Sequence, residues 1–314
     1  MKIVFMGTPY FARTTLELLF QSRHEVAAVF SQPDKPKGRG KVLLPLPVKS
    51  FAISQNIPVY QPPSLKDDYV FKTIESLNPD IIIVVAYGQL LPLIIINYPR
   101  FSCVNLHASL LPKYRGAAPI NWALIRGEKE TGVTTMLMEE SLDTGDILLQ
   151  EKISISPDDN VMTLHDKLAI LGAEKILETV DGLEKGRITP IKQDHAKAMY
   201  APKLKKEDGL INWECSSSDV FNLIRGTYKW PGAYSFLKDN RLKILKAKMP
   251  ININEGKPAS ILDIRQNGIE VATKDGSLLI TSVQPEGKPE MDAYQFSLGH
   301  KIKTGDYFNS GITF

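Results

Sequence analysis

Residues 104–146 hold an amide, an imidazole and two carboxylates at spacings that a fold can bring together: Asn105, His107, Asp143 and Asp146. Asn105 and His107 are two residues apart, the alternation that puts both side chains on one face of an extended strand. An asparagine amide donates to a carbonyl oxygen as negative charge builds on it, and a histidine takes or relays a proton near neutral pH. A carboxylate behind the imidazole orients it and stabilises its cation. Such a trio suits acyl transfer to an amine. No Ser or Cys accompanies it in an elbow motif, so direct transfer is expected rather than a covalent intermediate. Two plainer readings stand beside this one. Asn-x-His at a strand end can be a capping pair, and Leu142-Asp-Thr-Gly-Asp146 is turn-forming sequence. Spacing alone does not separate Asp143 from Asp146.

The elements that would position these groups show in the patterning. The first half alternates strand-like stretches (3–6, 26–30, 80–86 and 101–106) with helix-like ones (11–20 and 64–77). Short apolar strands joined by helical crossovers predict an α/β fold with a parallel sheet covered on both faces, and sites in such sheets form beyond the carboxyl ends of the strands. The stretch 101–106 carries Asn105 and His107 to such an end. Residues 134–138 and 146–155 alternate and predict an antiparallel pair at the sheet edge. Ser156-Pro-Asp-Asp-Asn160 then signals the start of a helix over 161–182. Residues 192–208 are polar and without period, and read as a linker. Beyond them come a short helix (218–224) and strands over 233–237, 242–247, 260–264, 269–273 and 277–283. Asn267-Gly268 and Asp275-Gly276 are hairpin signals. These strands predict a small antiparallel barrel, OB-like in type.

A length of 314 residues fits two modest domains, and 43% hydrophobic with 23% charged residues is an ordinary soluble globular composition. The net charge of +3 does not by itself mark a nucleic-acid binder. It all lies from Lys203 onward, where 16 Lys/Arg oppose 13 Asp/Glu. Cys103 and Cys215 are far apart and make neither a disulfide framework nor a metal-ligand pattern. No signal peptide and no apolar run of bilayer length is read, so the expectation is a reducing cytoplasm and no membrane association.

Three further stretches invite two readings each. The first strand ends in Met6-Gly-Thr-Pro-Tyr-Phe-Ala12 with a single glycine, too few for a dinucleotide loop, and Pro9 removes a donor. It is a tight strand-to-helix turn or a wall for substrate. The loop over 31–48 carries Lys35, Lys37, Arg39 and Lys41, with Gly38 and Gly40 flanking Arg39. It is long for such a connection and is either a solvated loop or one that closes on a phosphate backbone. Residues 238–248 hold five basic side chains and one acid. There Arg241 and Lys243 alternate with Leu242 and Ile244, as on a strand with one wet face.

Asn105-Leu-His-Ala-Ser-Leu-Leu-Pro112, Tyr114-Arg-Gly-Ala-Ala-Pro-Ile120 and Leu142-Asp-Thr-Gly-Asp146 resemble the formyltransferases that use 10-formyltetrahydrofolate. The basic loop after Phe30, Tyr200-Ala-Pro-Lys-Leu204 with Ile211-Asn-Trp213, and Gln284-Pro-Glu-Gly-Lys288 narrow this to the methionyl-tRNA formyltransferase family. The resemblance covers nearly the whole chain. It implies a Rossmann-like catalytic domain over 1–189, a linker over 190–207 and a tRNA-binding β-barrel over 208–314. It places the catalytic trio on Asn105, His107 and Asp143, and the folate signature on Ser109, Leu110, Leu111 and Pro112. tRNA contacts are expected at Lys35, Lys37, Arg39 and Lys41 and at Arg241, Lys243, Lys246 and Lys248. The implied cosubstrate is 10-formyltetrahydrofolate without a metal. The implied acceptor is initiator methionyl-tRNA, for translation initiation, and a monomer without a stable protein partner is expected. Formyl transfer to a small amine, such as an amino sugar or glycinamide ribonucleotide, would use the same trio. So would a formate-releasing hydrolase. An RNA-binding module would need none of the trio.

Overall fold

The structure is a computed structural model and describes residues 1–34, 46–238, 240–249 and 256–309. Lys35, Lys37, Arg39 and Lys41 lie outside the described residues. The chain divides into two compact units. The first comprises Met1–Pro119, Glu130–Ser154 and His165–Ala201; the second comprises Ile120–Lys129, Ile155–Leu164 and the described residues from Pro202 on. No helix among the described residues is long and apolar enough to cross a membrane.

In the first unit β1 (Lys2–Gly7), α1 (Tyr10–Gln21), β2 (Glu25–Phe30), α2 (Pro47–Ser54), β3 (Val59–Tyr60), α3 (Asp68–Leu77), β4 (Ile81–Val85), α4 (Leu93–Ile96) and β5 (Cys103–His107) alternate along the chain. Then come β6 (Glu130–Leu137), β7 (Ile147–Ser154) and α6 (Val161–Glu184), of which the first unit holds the part from His165; α5 (Pro119–Ile125), which precedes β6, belongs from Ile120 to the second unit. The sheet order is β3-β2-β1-β4-β5-β6-β7. β1 to β5 are parallel, and β6 and β7 run antiparallel at one edge. The chain winds from β1 out to β3 and returns to β4 on the other side of β1, which makes a topological switch point. Every residue of β4, Ile-Ile-Ile-Val-Val, is buried. A strand covered on both faces has no wet side to alternate with, and β-branched side chains suit the pleat. Val4, Met6, Phe30, Ile82 and Val84 of the sheet pack with Val70 and Ile74 of α3.

Of the two readings of residues 6–12, close packing accounts for the glycine. A Cβ on Gly7 would lie 2.7 Å from Ala12 Cβ and 3.0 Å from Val85 O. Thr8 Oγ1 donates to Tyr87 O (3.3 Å) and accepts from Gln32 N (3.2 Å), tying together the segments that leave β1, β2 and β4. On the opposite side of β5, Leu106 faces α6. A Cβ on Gly172 would come within 2.6 Å of Leu106 Cδ2, so this glycine lets helix and strand meet closely. With Leu106 turned to α6, Asn105 and His107 take the other face.

In the second unit α7 (Ser217–Gly226) begins at Ser216, whose side chain accepts from Asp219 N as an N-cap. Then follow β8 (Ala233–Leu237), β9 (Asn240–Lys248), β10 (Ile261–Arg265), β11 (Gly268–Thr273), β12 (Gly276–Pro285), β13 (Met291–Asp292), α8 (Ala293–Gly299) and β14 (Phe308–Asn309). The hairpins at Asn267-Gly268 and Asp275-Gly276 form, closing β10 on β11 and β11 on β12. The sheet order is β10-β11-β12-β9-β8-β14, with β13 on β12. This antiparallel sheet curls until its ends meet: Phe308 N donates to Ala259 O (2.9 Å) and Ile261 N to Asp306 O (2.8 Å). Inside the curl lie Ile211, Trp213, Leu242, Ile244, Val271, Ile280 and Val283. Sequence patterning did not foresee β13, α8 or β14, which are too short to show a period.

Candidate active site

His107 is the last residue of β5, and its neighbours hold it on every side. β5 pairs with β4 at Val84↔Asn105 and with β6 at Asn105↔Met136 and His107↔Thr134. The His107 ring is 6% exposed, and its Nε2 donates to Tyr114 O (2.8 Å). A carbonyl oxygen can only accept, so Nε2 carries a proton and Nδ1 is the nitrogen left to work. Nδ1 lies 3.6 Å from Asp143 Oδ2, too far for a formed hydrogen bond but within ion-pair range of a charged imidazole. An imidazolium formed in a reaction would thus face an acceptor at each ring nitrogen. Asn105, half-buried on the same face, has no hydrogen-bond partner for its amide among the described residues.

Asp143 sits in a turn with φ +56°, the left-handed region that Asp tolerates better than most residues. Its Oδ2 accepts from Gly116 N (2.8 Å). Its backbone carbonyl and that of Gly145 accept from the Gln193 amide at 3.0 and 2.7 Å. Asp146 is half-buried, and its backbone carbonyl accepts from Leu137 N (2.9 Å). The fold therefore brings Asp143, not Asp146, against His107.

Ser109–Pro112 forms the wall next to this pair. Thr134 Oγ1 donates to Ser109 O (2.6 Å) and accepts from Leu111 N (3.1 Å) and Gln150 Nε2 (2.9 Å). Gln150 Nε2 also reaches Leu111 O (2.9 Å), and Ser109 Oγ donates to Lys113 O (2.6 Å). Ser109 and Leu111 are buried, while Leu110 and Pro112 keep a half-buried flank that a ligand can meet. Most of the motif thus builds a rigid loop. Of the supporting groups, Thr134, Gln150 and Gln193 carried no chemical signal in the sequence, whereas Arg115 stood inside the 114–120 motif without an assigned role. Gln193 in particular stands in the aperiodic stretch read as a linker.

On the second unit, the sequence-expected cations lie on β9. Arg241 and Lys243 alternate with the core residues Leu242 and Ile244. By strict alternation Lys246 and Lys248 would point into the core with Leu242 and Ile244. They do not, because Leu245 is an extra residue: Ile244 pairs with Val283 and Lys246 with the adjacent Ser282. This β-bulge flips the parity and turns Lys246 and Lys248 outward. Arg241 stacks on Tyr234 with its guanidinium carbon 3.8 Å from the ring centroid, and its buried Nε has no partner among the described residues. Burial, and secondarily the charge of Arg241, holds the Lys243 ammonium below its ordinary pKa. The two cations line a hollow of about 220 Å³ with Gln284, Pro285, Glu286 and Gly287. Lys246 is partly engaged by Glu290 at 3.5 Å.

A family model described as formyl transferase matches residues 1–180, and one described as formyl transferase, C-terminal domain, matches residues 203–301. Methionyl-tRNA formyltransferase of Thermodesulfovibrio yellowstonii is 53% identical over 304 residues, covering 96% of this chain and 97% of that protein. Solved structures that share the fold at low identity include two with bound folates. HypX from Aquifex aeolicus, in complex with tetrahydrofolic acid, has a TM-score of 0.67 at 18% identity, over 98% of this chain and 50% of that one. The N-formyltransferase from Helicobacter canadensis, in complex with folinic acid and dTDP-3-aminofucose, has a TM-score of 0.69 at 18% identity, over 91% and 99%.

Proposed function

The chain belongs to the methionyl-tRNA formyltransferase family, and on that premise we propose that it moves the formyl group of 10-formyltetrahydrofolate onto the α-amine of initiator methionyl-tRNA. The observation that carries the choice of acceptor is the 53% identity running through both units, against 18% for the enzyme crystallised with an amino sugar. Folate as donor is supported by the tetrahydrofolic acid bound to the HypX relative of this fold. No metal is called on.

The amine nitrogen attacks the formyl carbon, and the carbonyl oxygen becomes an oxyanion. The unpaired Asn105 amide donates to it, as a preorganised donor should. His107, with Nε2 committed to Tyr114 O, relays the proton lost by the amine through Nδ1, and as a cation it stabilises the oxyanion by its charge rather than by a donated hydrogen bond. Asp143 holds that cation. The bond from carbon to N10 then breaks, N10 takes the proton, and tetrahydrofolate leaves. Ser109, Leu110, Leu111 and Pro112 form the folate-side wall. Residues 1–189 carry this chemistry, 190–207 lead to the barrel, and 208–314 bind tRNA. Arg241, Lys243, Lys246 and Lys248, with Lys35, Lys37, Arg39 and Lys41, take phosphates of the tRNA.

The test is formyl transfer to charged initiator tRNA, with free methionine and uncharged tRNA as controls. Product on charged tRNA alone is expected. His107→Ala and Asp143→Asn should each lower kcat more than they raise KM, because both groups act on the transition state. Unchanged turnover in either variant refutes its role. tRNA affinity should fall steeply with salt, and less steeply in Arg241→Ala/Lys243→Ala.

A further inference from the structure

We propose that Gln193 is a positioning residue for the transfer step, holding the Asp143 carboxylate against His107 through a closed circuit of hydrogen bonds that runs back to Arg115. The proposal rests on the catalytic reading of Asp143 given above.

Gln193 is 5% exposed, and every polar position of its amide is used. Its nitrogen donates to the carbonyls of Asp143 and Gly145. Its oxygen accepts from Arg115 Nε (3.2 Å) and Nη2 (2.6 Å). Arg115 is 3% exposed, and its Nη2 also donates to His195 Nδ1 (3.1 Å). The next residue, Gly116, gives its N–H to Asp143 Oδ2. Asp143 is therefore held twice from the same place. Gly116 takes its carboxylate, and Arg115, through Gln193, takes its carbonyl.

Asp143 needs such holding. Asp143 has a left-handed φ, which a non-glycine residue keeps only where its surroundings hold it. Arg115 is anchored in turn, because its N–H donates to Met199 O (2.8 Å) and its carbonyl accepts from Ala201 N (2.7 Å). The segment after α6 is thus stitched to the turn that carries Asp143 and to the loop that carries Gly116. Gln193 is where the two meet. A glutamine fits this position better than any charged residue. It must donate to two carbonyls and accept from a guanidinium at once, and only an amide does both.

Two substitutions separate positioning from simple satisfaction of Arg115. Gln193→Glu keeps a strong acceptor for Arg115 and loses both donors to the Asp143 turn. Gln193→Leu loses everything. If Gln193 positions Asp143, both variants lower kcat by about ten- to hundredfold, the range expected for misplacement of a catalytic group by up to about 1 Å. KM for folate and for tRNA should stay within about threefold. Because Gln193 works through Asp143, Asp143→Asn/Gln193→Glu should be no slower than Asp143→Asn alone. Wild-type kcat in Gln193→Glu, or losses that multiply in the double variant, overturns the proposal. If Gln193→Leu melts below the assay temperature, Gln193→Glu, which retains the Arg115 pair, carries the test alone. Wild-type kcat in Asp143→Asn would instead remove the catalytic reading itself, a different result from failure at Gln193.

Discussion

Replacing Gly116 with alanine should damage catalysis through backbone geometry alone, without removing any functional side chain. Gly116 has φ +121°, a conformation that residues with a Cβ rarely adopt. An added Cβ would lie 2.7 Å from Ala201 O and 3.3 Å from Ala201 C. It must retreat by about 0.7 Å to reach the 3.4 Å of ordinary contact, and the obstacle is backbone rather than a side chain that can swing away. Ala201 is itself pinned, because its N–H donates to Arg115 O (2.7 Å) and its carbonyl accepts from Ala118 N (3.1 Å). The 115–118 loop has to give, and the Gly116 N–H moves off Asp143 Oδ2. A hydrogen bond to a charged acceptor contributes about 1.5–3 kcal/mol, which is about ten- to hundredfold in rate if it counts in the transition state. Backbone strain adds about 1–3 kcal/mol of lost stability. Formyl-transfer kcat and the urea midpoint read the two effects separately. Gly299→Ala is the control, since nothing lies within 4 Å of its Cβ position at the end of α8. A Gly116→Ala enzyme with kcat within twofold of wild type and an unchanged midpoint would refute the coupling between this loop and Asp143.

Thr134→Val keeps the shape of a fully buried side chain and removes three hydrogen bonds, to Ser109 O, Leu111 N and Gln150 Nε2. It should cost about 2–4 kcal/mol in denaturant unfolding and lower kcat, while Thr134→Ser restores most of both. Tyr87→Phe should raise stability by about 1 kcal/mol, because the Tyr87 hydroxyl is buried without a partner among the described residues and burial pushes its pKa up to about 12. A lower melting temperature in that variant would show that the hydroxyl is satisfied after all. His24 is wholly buried at the side chain, and that burial, reinforced by nearby positive charge including Arg23, lowers its pKa from the ordinary 6.5. Its neutral form is favoured by folding, so stability is full above pH 6.5 and is lost as pH falls from there toward the folded-state value. Melting temperature measured from pH 8 to 5.5 should decline over that window in the wild type and decline less in His24→Gln.

The strands and hairpins were legible because their signals are local. β4 reads as an unbroken β-branched run, and Asn267-Gly268 and Asp275-Gly276 demand their turns whatever surrounds them. β13, α8 and β14 were not legible, since two to seven residues are too few for a period to emerge. The curled sheet that they complete is held by pairings such as Phe308 with Ala259, 49 residues away in sequence, which no pattern in either segment announces. Lys246 and Lys248 make the same point in reverse. Their charge favours the wet face and strict alternation points them inward. Only the register with β12, where Leu245 is extra, shows that the strand breaks its alternation and keeps both lysines outward.

By itself the sequence determined that an amide and an imidazole share one face at the carboxyl end of a parallel strand, because two-residue alternation is a property of the strand and needs no partner. It also lacks a nucleophile-elbow motif and a G-x-G-x-x-G fingerprint at the first strand's end. Resemblance, not spacing, pointed to Asp143 over Asp146. The tertiary structure brought Asp143 to His107 and decided what holds it there: Gly116, Gln193 and, behind them, Arg115. Those contacts join segments 27 to 78 residues apart. A hydrogen bond between such segments depends on where the whole chain has already placed them, so residue type and local spacing could not have shown it.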